Sequence, residues 1–370
     1  MIAKVGMLDR VFRKFGFLDA SSALRVHPRI FAGIVGYHMI ALLACLPWLF
    51  SWTGLGMAIA GIYVFGTLGV NIGFHRLLTH QGFACPAWFR RSLSVLGVCS
   101  WQGTPMNWVA IHRMHHQHSD DPEDPHSPKT SFFWSHMGWF LIYDPDLWSI
   151  DTYDRYARDL LRDRFNKKME RPRNFRRIQF AQWLVFAVIG AVIGAVATES
   201  WLGTLQMSLS CLIWGVFVRT VLVWHITWSV NSVTHIWGYR NYKTKDNSRN
   251  NFLVGIISNG EGWHNNHHAQ PRSASHGMRW FEFDLTFMTI WVWERFGLVW
   301  DVVRPRKDLA KAFREEESNL TGAMEPAASE PKLLPSSSML RADASNGDES
   351  KDTAPGAAVS SAPTPPYTVS

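Results

Sequence analysis

The chain has 370 residues, of which 47% are apolar, 14% aromatic and 18% charged, with 19 Trp and 16 His. This composition excludes a disordered or fibrous protein, and a mean hydropathy of −0.07 excludes a chain buried in a membrane along its whole length. The formal net charge of +7 is compatible with nucleic acid or with the cytoplasmic face of a membrane as partner. The four cysteines have no CxxC spacing, which excludes a zinc ribbon.

Four apolar stretches with almost no charge are long enough to cross a bilayer. They predict membrane-spanning helices over residues 30–52, 54–74, 179–198 and 201–224. Only Thr53 separates the first two stretches, which predicts a tight turn there. Arg219 lies far along the fourth stretch, and we expect its side chain to reach the membrane interface. The order of the stretches predicts two helical hairpins.

Basic residues predict how these hairpins are oriented. Residues 1–29, which read as a cytoplasmic or interfacial segment, contain six Lys or Arg, and residues 155–177 contain ten, whereas the two hairpin tips contain none. The positive-inside rule then places both termini and the segments 75–178 and 225–318 in the cytoplasm. The 155–177 run is expected to contact the membrane surface rather than nucleic acid, because no binding module accompanies it. Residues 319–370 are rich in Ser, Ala and Pro and predict a disordered tail.

Histidines cluster in short motifs next to these stretches. HRLLTH contributes His75 and His80, HRMHH contributes His112, His115 and His116, NSVTH contributes Asn231 and His235, and HNNHH contributes His264, His267 and His268. Positions i, i+3 and i+4 share one face of a helix, so each trio is expected to aim its three imidazoles at one point. The first pair is five residues apart, about 140° on an ideal α-helix. That pair therefore needs an unwound turn, or its members serve different metals.

The nine imidazoles exceed the capacity of one metal site and predict two metals, for which Fe, Cu, Zn and Ni are all suitable. Asp120 and Asp124 are candidates to accept the second ring N–H of the ligands; a solvated acidic loop is the alternative. His118, His126 and His136 follow the second motif and are weaker candidates, whereas His27, His38, His225 and His276 are expected to be structural. HExxH, G-x-S-x-G and P-loop motifs are absent, which argues against hydrolysis and phosphoryl transfer.

At these motifs the sequence resembles the membrane fatty acid desaturases, and among them the acyl-CoA Δ9 (stearoyl-CoA type) desaturase family. The matching segments are GFHRLLTH at 73–80, WVAIHRMHHQHSDDPEDPHSP at 108–128, FFWSHMGW at 132–139, TWSVNSVTHIWG at 227–238 and GEGWHNNHH at 260–268. The resemblance covers roughly residues 30–300. It implies an all-α integral membrane protein with four transmembrane helices in two hairpins and a cytoplasmic helical cap that carries a di-iron site, the membrane domain extending over 30–318.

The resemblance also assigns roles to individual residues. It implies that the nine motif histidines bind two iron ions and that Asn231 contacts the metal through water. It implies that Gln102, Trp108, Thr227 and Trp228 line the bend of an apolar tunnel for the acyl chain. The implied reaction places a cis double bond, Δ9 by analogy, into a long-chain saturated acyl thioester with O₂ and two electrons, for unsaturated fatty acid biosynthesis. A C–H bond in mid-chain has no acidic proton, so a redox metal is the appropriate tool.

Two departures from the animal members concern the headgroup of the acyl donor. Ala110-Ile111 replaces an Arg-Asp pair, and Gly103-Thr104 replaces Asn-Asp. Acyl-CoA, an acyl carrier protein and an intact lipid all remain open as donor. This sequence has no cytochrome b5-like segment, so a separate ferredoxin, rubredoxin or cytochrome b5 with its reductase is the expected electron donor. The lipid bilayer is the other expected partner.

Two other functions compete with this interpretation. A membrane di-iron hydroxylase acting on an alkane or sterol would form an alcohol instead of an alkene; NSVTHIWG and DPHSP favour the desaturase. A histidine-rich metal transporter would place its ionisable groups at mid-bilayer near broken helices. Here the histidine motifs lie outside the predicted spans, which argues against transport.

Overall fold

The computed structural model describes residues 25–306. The predictions made for residues 1–24 and 307–370, including the tail, therefore lie outside the described residues. Within the described range a single small sheet is present, in which β1 (Arg25–Val26) pairs antiparallel with β2 (Ile142–Tyr143). This pairing ties the start of the first long helix to the segment that follows the second histidine motif.

Helices form almost all of the remaining regular structure. They are α1 (Pro28–Leu42), α2 (Trp52–Gly61), α3 (Ala87–Val98), α4 (Pro105–His118), α5 (Trp139–Leu141), α6 (Ile150–Tyr156), α7 (Arg158–Leu161), α8 (Arg164–Met169), α9 (Pro172–Thr198), α10 (Trp201–Leu212), α11 (Arg219–Ser232), α12 (Phe252–Ile257), α13 (His264–Ala269) and α14 (Leu285–Arg295). Wider π-helical turns cover Ile62–Thr79, Trp134–Gly138 and Ile213–Val218, and 3₁₀ turns cover Leu43–Cys45, Pro47–Leu49, Asp146–Trp148 and Val233–His235.

Four continuous helical stretches are long and apolar enough to cross a membrane. They are Pro28–Cys45, Trp52–Thr79, Pro172–Thr198 and Trp201–His235. The four spans expected from the sequence are thus confirmed as candidates by length and composition. The third and fourth pack along each other, and the first packs mainly against the fourth. The two-hairpin arrangement and the cytoplasmic position of the remaining segments stay predictions.

The predicted end of the first span, at residue 52, was wrong. The helical stretch ends at Cys45, and Leu46 is extended (φ −76°, ψ 123°) because the next residue is Pro47. Thr53 is helical rather than the turn, since Ser51 caps the second span by accepting a hydrogen bond from Gly54 N at 2.9 Å. The connection therefore consists of the six residues 46–51 instead of the single residue that hydropathy suggested.

The other spans are longer than hydropathy predicted. The second continues past residue 74 to Thr79, the fourth past 224 to His235, and the third begins at Pro172 instead of 179. These extensions carry polar residues, which is why a hydropathy pattern ends too early. In the second and fourth spans several of these side chains are buried against other parts of the protein, as His75, Arg76 and His235 illustrate. The motifs HRLLTH and NSVTH therefore lie at the ends of the second and fourth spans, inside the protein.

Arg219 does not reach the membrane interface, so that expectation was also wrong. Its side chain is 0% exposed, and its guanidinium donates hydrogen bonds to Gln182 Oε1 at 2.8 Å and to the carbonyl of Cys99 at 3.1 Å. The planar, multiply donating guanidinium suits such a set of acceptors inside the protein better than a single contact at the membrane surface.

Small residues allow the third and fourth spans to approach closely. A Cβ atom at Gly190 would lie 2.7 Å from the carbonyl of Met207, and one at Gly194 would lie 2.7 Å from the Cα of Thr204. The spacing of four places both glycines on one face of α9. This contact fixes α10 and its continuation, which ends at His235, relative to the rest of the bundle.

Candidate metal centre

The second span supplies His75 and His80 through an unusually wide helix. Its last eighteen residues are π-helical, with i→i+5 hydrogen bonds such as His80 N to His75 O at 3.1 Å. In a π-helix residues five apart lie nearly above one another. Their ring centroids are 4.8 Å apart, so the two imidazoles face the same point. Of the two alternatives left open by the sequence, the structure contains the altered turn.

The two histidine trios do not converge on single points, which corrects the prediction from their spacing. On α4, His112 and His116 belong to one group of imidazoles and His115 belongs to another. On α13, His264 and His268 stay together whereas His267 joins the other group. The reason is the angle between the side chains around the helix axis. Residue i+4 lies about 40° to one side of residue i, whereas residue i+3 lies on the other side of residue i, about 100° from i+4. Each helix thus divides its trio between two neighbouring sites.

The nine motif histidines assemble into two compact groups. In each group, one ring nitrogen of every member lies within 4.8 Å of those of the others. We define the first imidazole group as His75, His80, His112, His116 and His267, and the second imidazole group as His115, His235, His264 and His268. Segments more than 150 residues apart in the chain meet here, since His267 Nε2 lies 2.9 Å from His116 Nε2.

The spacing of the ring nitrogens fits ligands around an ion. His75 Nε2 lies 3.0 Å from His267 Nε2, and His235 Nε2 lies 3.1 Å from His264 Nε2. Nitrogens that bind one metal at ~2.1 Å with an angle of about 90° between them are ~3.0 Å apart. Imidazole donors exclude Mg²⁺ and Ca²⁺, which prefer oxygen, and suit Fe, Cu, Zn and Ni.

Several inward-facing nitrogens also lack any other partner. The Nε2 atoms of His80, His115 and His268 are buried without a hydrogen bond. Leaving one buried polar atom unpaired costs about 1–3 kcal/mol. A metal ion in each group would satisfy all three atoms, so the residues present fit such ions.

Carboxylates orient the ligand rings from behind. His75 Nδ1 donates to Glu261 at 2.6 Å, and His268 Nδ1 donates to Asp246 at 2.7 Å. His115 Nδ1 donates to Asp124 at 2.9 Å, and His235 Nδ1 lies 3.3 Å from Asp120. The predicted contacts of Asp120 and Asp124 with ring nitrogens of the motif histidines are therefore present. Each contact fixes the proton on Nδ1 and leaves the Nε2 lone pair for the centre of the group.

Glu261 and its neighbours are the functional candidates that the sequence did not reveal. Arg76 is buried and donates to Glu261 at 2.8 Å and to Asp284 at 2.9 Å. His276, predicted to be structural, has its Nδ1 3.2 Å from Glu261 and its ring 4.4 Å from that of His267. His276 therefore lies directly behind the first imidazole group, which its position in the sequence did not indicate. Glu261 stands within GEGWHNNHH, so its closeness to the motif was the only available signal.

Electrostatics keep most of these imidazoles neutral and able to bind a cation. Burial, reinforced by neighbouring imidazoles, holds the pKa values of His80, His112 and His267 well below the usual value. Burial lowers the pKa of His268 to about 4, although Asp246 opposes the shift. His115 differs: burial lowers its pKa, but the Asp124 carboxylate outweighs burial and raises it. The protein thus presents lone pairs, with negative charge concentrated behind the rings.

An apolar cavity adjoins both imidazole groups. Its volume is about 590 Å³, and His112 and His264 form part of its wall. This volume lies within the range of about 300–1,000 Å³ that is usual for ligand sites. The four predicted tunnel residues, Gln102, Trp108, Thr227 and Trp228, all line it. Asn231 lines it as well.

Three contacts shape the cavity wall beside the imidazoles. Trp108 stacks on His112 with ring centroids 4.9 Å apart, and Gln102 Nε2 donates to Thr227 Oγ1 at 3.0 Å. Trp228 stacks on Trp224 at 5.6 Å. The hydrogen bond between Gln102 and Thr227 joins the loop before α4 to α11. These two elements therefore form one side of the cavity.

We expect Trp108→Ala to change which chain lengths or positions are favoured more than it changes metal content. The reason is that its indole fills the wall of the cavity, whereas none of its atoms belongs to an imidazole group. Analysis of products and of bound metal measures both effects. Trp88→Ala, which removes an indole that is 62% exposed, is the matched control. A product profile identical to that of the unmodified protein would exclude Trp108 from the substrate site.

Comparisons with known proteins agree with this geometry. The model of the family described as "Fatty acid desaturase" matches residues 46–298. The chain is 39% identical over 275 residues to an sn-2 palmitoyl-lipid 9-desaturase from Nostoc sp. (strain 36), covering 74% of this chain and 88% of the relative. It is 38% identical over 304 residues to an sn-1 stearoyl-lipid 9-desaturase from Synechocystis sp., covering 80% and 89%. An acyl-CoA C20 Delta5-desaturase from Anemone leveillei is 35% identical over 274 residues, covering 74% and 80%.

Proposed function

Because the chain belongs to the fatty acid desaturase family, we propose that it introduces a cis double bond at Δ9 of a long saturated acyl chain. The observation that carries the proposal is that two imidazole groups adjoin one apolar cavity. A hydrocarbon segment of the substrate can lie in this cavity because most of the lining is apolar. The imidazole groups next to the cavity then determine which carbons of the acyl chain react.

The proposed cofactor is a pair of iron ions, one in each imidazole group, with Asn231 near the second. When bound, the pair would supply the activation of O₂ that a saturated hydrocarbon requires. The protein's own contribution is to orient the rings of His75, His268, His115 and His235, through Glu261, Asp246, Asp124 and Asp120 respectively. The overall change is removal of two hydrogens from –CH₂–CH₂– and, with O₂, two electrons and two protons, formation of –CH=CH– and two waters.

The cavity wall is proposed to select the bond that reacts. Trp108 and Trp228 present flat apolar faces, and the hydrogen bond between Gln102 and Thr227 closes one side. An acyl chain that follows this wall brings a fixed segment next to His112 and His264. Water is excluded because the lining is mostly aromatic and aliphatic, which protects the reaction from side products.

We favour a lipid-linked acyl chain over acyl-CoA as the substrate. Ala110 is 0% exposed and packs among Phe74, Leu78 and Val109, so the position offers nothing to a charged headgroup. Two of the relatives above are named as acyl-lipid desaturases, although the one from Anemone leveillei is named for acyl-CoA. The four candidate spans would allow a membrane lipid to reach the cavity from within the bilayer.

The proposed electron donor is a separate redox protein of the ferredoxin, rubredoxin or cytochrome b5 type. The active site is proposed to face the cytoplasm, since the basic residues of 155–177 flank the third span. A ferredoxin and a cytochrome b5 system can be supplied in turn to the purified full chain with O₂. The donor that supports turnover identifies the partner.

The decisive experiment is expression of the full chain in a host that cannot make unsaturated fatty acids. We expect the extracted lipids to contain cis-9 monoenes, located by fragmentation of derivatised double bonds. Alcohols in place of alkenes would favour the hydroxylase. Absence of any product from iron-loaded protein with a competent electron donor would overturn the proposal. Parallel assays with acyl-CoA and with lipid vesicles distinguish the two acyl donors.

A further inference from the structure

Arg219 is a buried cation in the fourth candidate span that no role in the metal centre explains. Its side chain is fully buried, and among the ion pairs of residues 25–306 none includes it. Its guanidinium instead contacts the carbonyls of Cys99 and Gly215, the amide oxygen of Gln182 and the face of Phe65 at 4.1 Å. A charge buried among spanning helices is costly and therefore points to a function.

Arg219 is one of four side chains that donate to carbonyls at the end of α3. That helix ends at Val98, and the carbonyls of its last turn have no partner within the helix. Gln179 donates to the carbonyl of Val98 at 2.6 Å, Arg219 and Gln182 both donate to that of Cys99, and Trp224 donates to that of Ser100 at 2.8 Å. The negative end of the helix dipole faces the guanidinium, which adds a favourable electrostatic interaction.

The residues that follow this helix end form the cavity wall. Trp101 and Gln102 both line the cavity, and Gln102 is hydrogen-bonded to Thr227. Trp101 has a φ of 62°, a conformation that residues with a Cβ rarely adopt, and it stacks on Tyr37 with centroids 4.9 Å apart. Such a backbone persists only where its surroundings hold it in place.

We propose that Arg219 is a positioning residue that fixes the Cys99–Gln102 turn and thereby determines which carbons of the acyl chain face the imidazole groups. The inference rests on the proposed function. Loss of the guanidinium leaves the Cys99 carbonyl with Gln182 as its remaining side-chain donor and frees the turn to move. Because Arg219 contacts no imidazole, its loss should not affect metal binding. The position of the acyl chain along the cavity should change instead.

Positional analysis of the products tests this proposal. In Arg219→Met we expect the share of double bonds outside the main position to rise about tenfold, since small displacements at a reacting centre have large effects. Iron per folded chain should equal that of the unmodified protein. Arg219→Lys keeps the charge but loses the planar set of donors, so an intermediate shift is expected. Thr220→Val, at a neighbouring buried residue whose hydroxyl has no partner, is the control and should leave the products unchanged.

An unchanged positional pattern in Arg219→Met and Arg219→Lys would overturn the proposal. If Arg219→Met does not accumulate, Arg219→Lys and Gln182→Leu decide by the same readout, because Gln182 donates to the Cys99 carbonyl and accepts from Arg219 but does not line the cavity. A wild-type pattern in both would equally overturn it. If the unmodified protein forms no alkene, the proposed function fails. If it forms alkenes and the variants do not change their position, only the proposed role of Arg219 fails.

Discussion

We expect His267→Ala to abolish desaturation and to lower bound iron from two ions to about one per chain. His267 is 0% exposed, and its Nε2 lies 3.0 Å from that of His75 and 2.9 Å from that of His116, so it joins the two sides of the first imidazole group. Removing a direct ligand should reduce metal affinity or activity by more than the roughly 10–100-fold that follows loss of a residue that only contacts a ligand. Product analysis and elemental analysis of purified protein measure the two effects.

His118→Ala is the matched control for this variant. His118 lies on the same helix as His115 and His116 but belongs to neither imidazole group, and its Nε2 contacts the Tyr156 hydroxyl at 3.3 Å. Its loss should leave iron content and activity close to those of the unmodified protein. Full activity in His267→Ala would remove His267 from the proposed ligands.

We expect Glu261→Gln to have the second-largest effect on iron binding and stability. The substitution neutralises a carboxylate that has three partners. Glu261 accepts hydrogen bonds from His75 and Arg76, and it lies beside His276. Neutralising it leaves Arg76 with Asp284 as its remaining carboxylate, and breaking a buried ion pair typically costs about 3–5 kcal/mol. We expect lower thermal stability and a roughly 10–100-fold weaker affinity for iron in the first imidazole group.

Anaerobic titration of the metal-free protein with Fe²⁺ measures that affinity. The control is Glu294→Gln, which removes the carboxylate paired with Arg304 in a partly exposed contact. Such surface pairs contribute about 0–1 kcal/mol, so neither stability nor iron affinity should change much. Equal iron affinity in Glu261→Gln and the unmodified protein would show that Glu261 does not support His75.

The membership of the histidine constellation was predictable, but its division between two groups was not. Spacing identifies a shared face for His112, His115 and His116, yet it does not reveal how a second helix is placed against that face. In the structure α4 and α13 meet so that each sends its i, i+4 pair to one group and its i+3 residue to the other. This division depends on packing between segments that are distant in sequence.

Helix boundaries illustrate the same limit in physical terms. Hydropathy ended the second span before His75 because polar residues begin there, whereas burial inside the protein lets the helix continue to Thr79. The end of the first span was readable, since Pro47 forces Leu46 out of helical conformation. The burial of Arg219 was not readable, because its partners Cys99 and Gln182 come from other helices.

Anomalous scattering from crystals of the purified full chain, in a preparation that desaturates acyl lipids, would locate the bound iron. We expect two peaks at the iron edge, one within His75, His80, His112, His116 and His267 and one within His115, His235, His264 and His268. A single peak, or peaks outside these groups in an active preparation, would contradict this expectation.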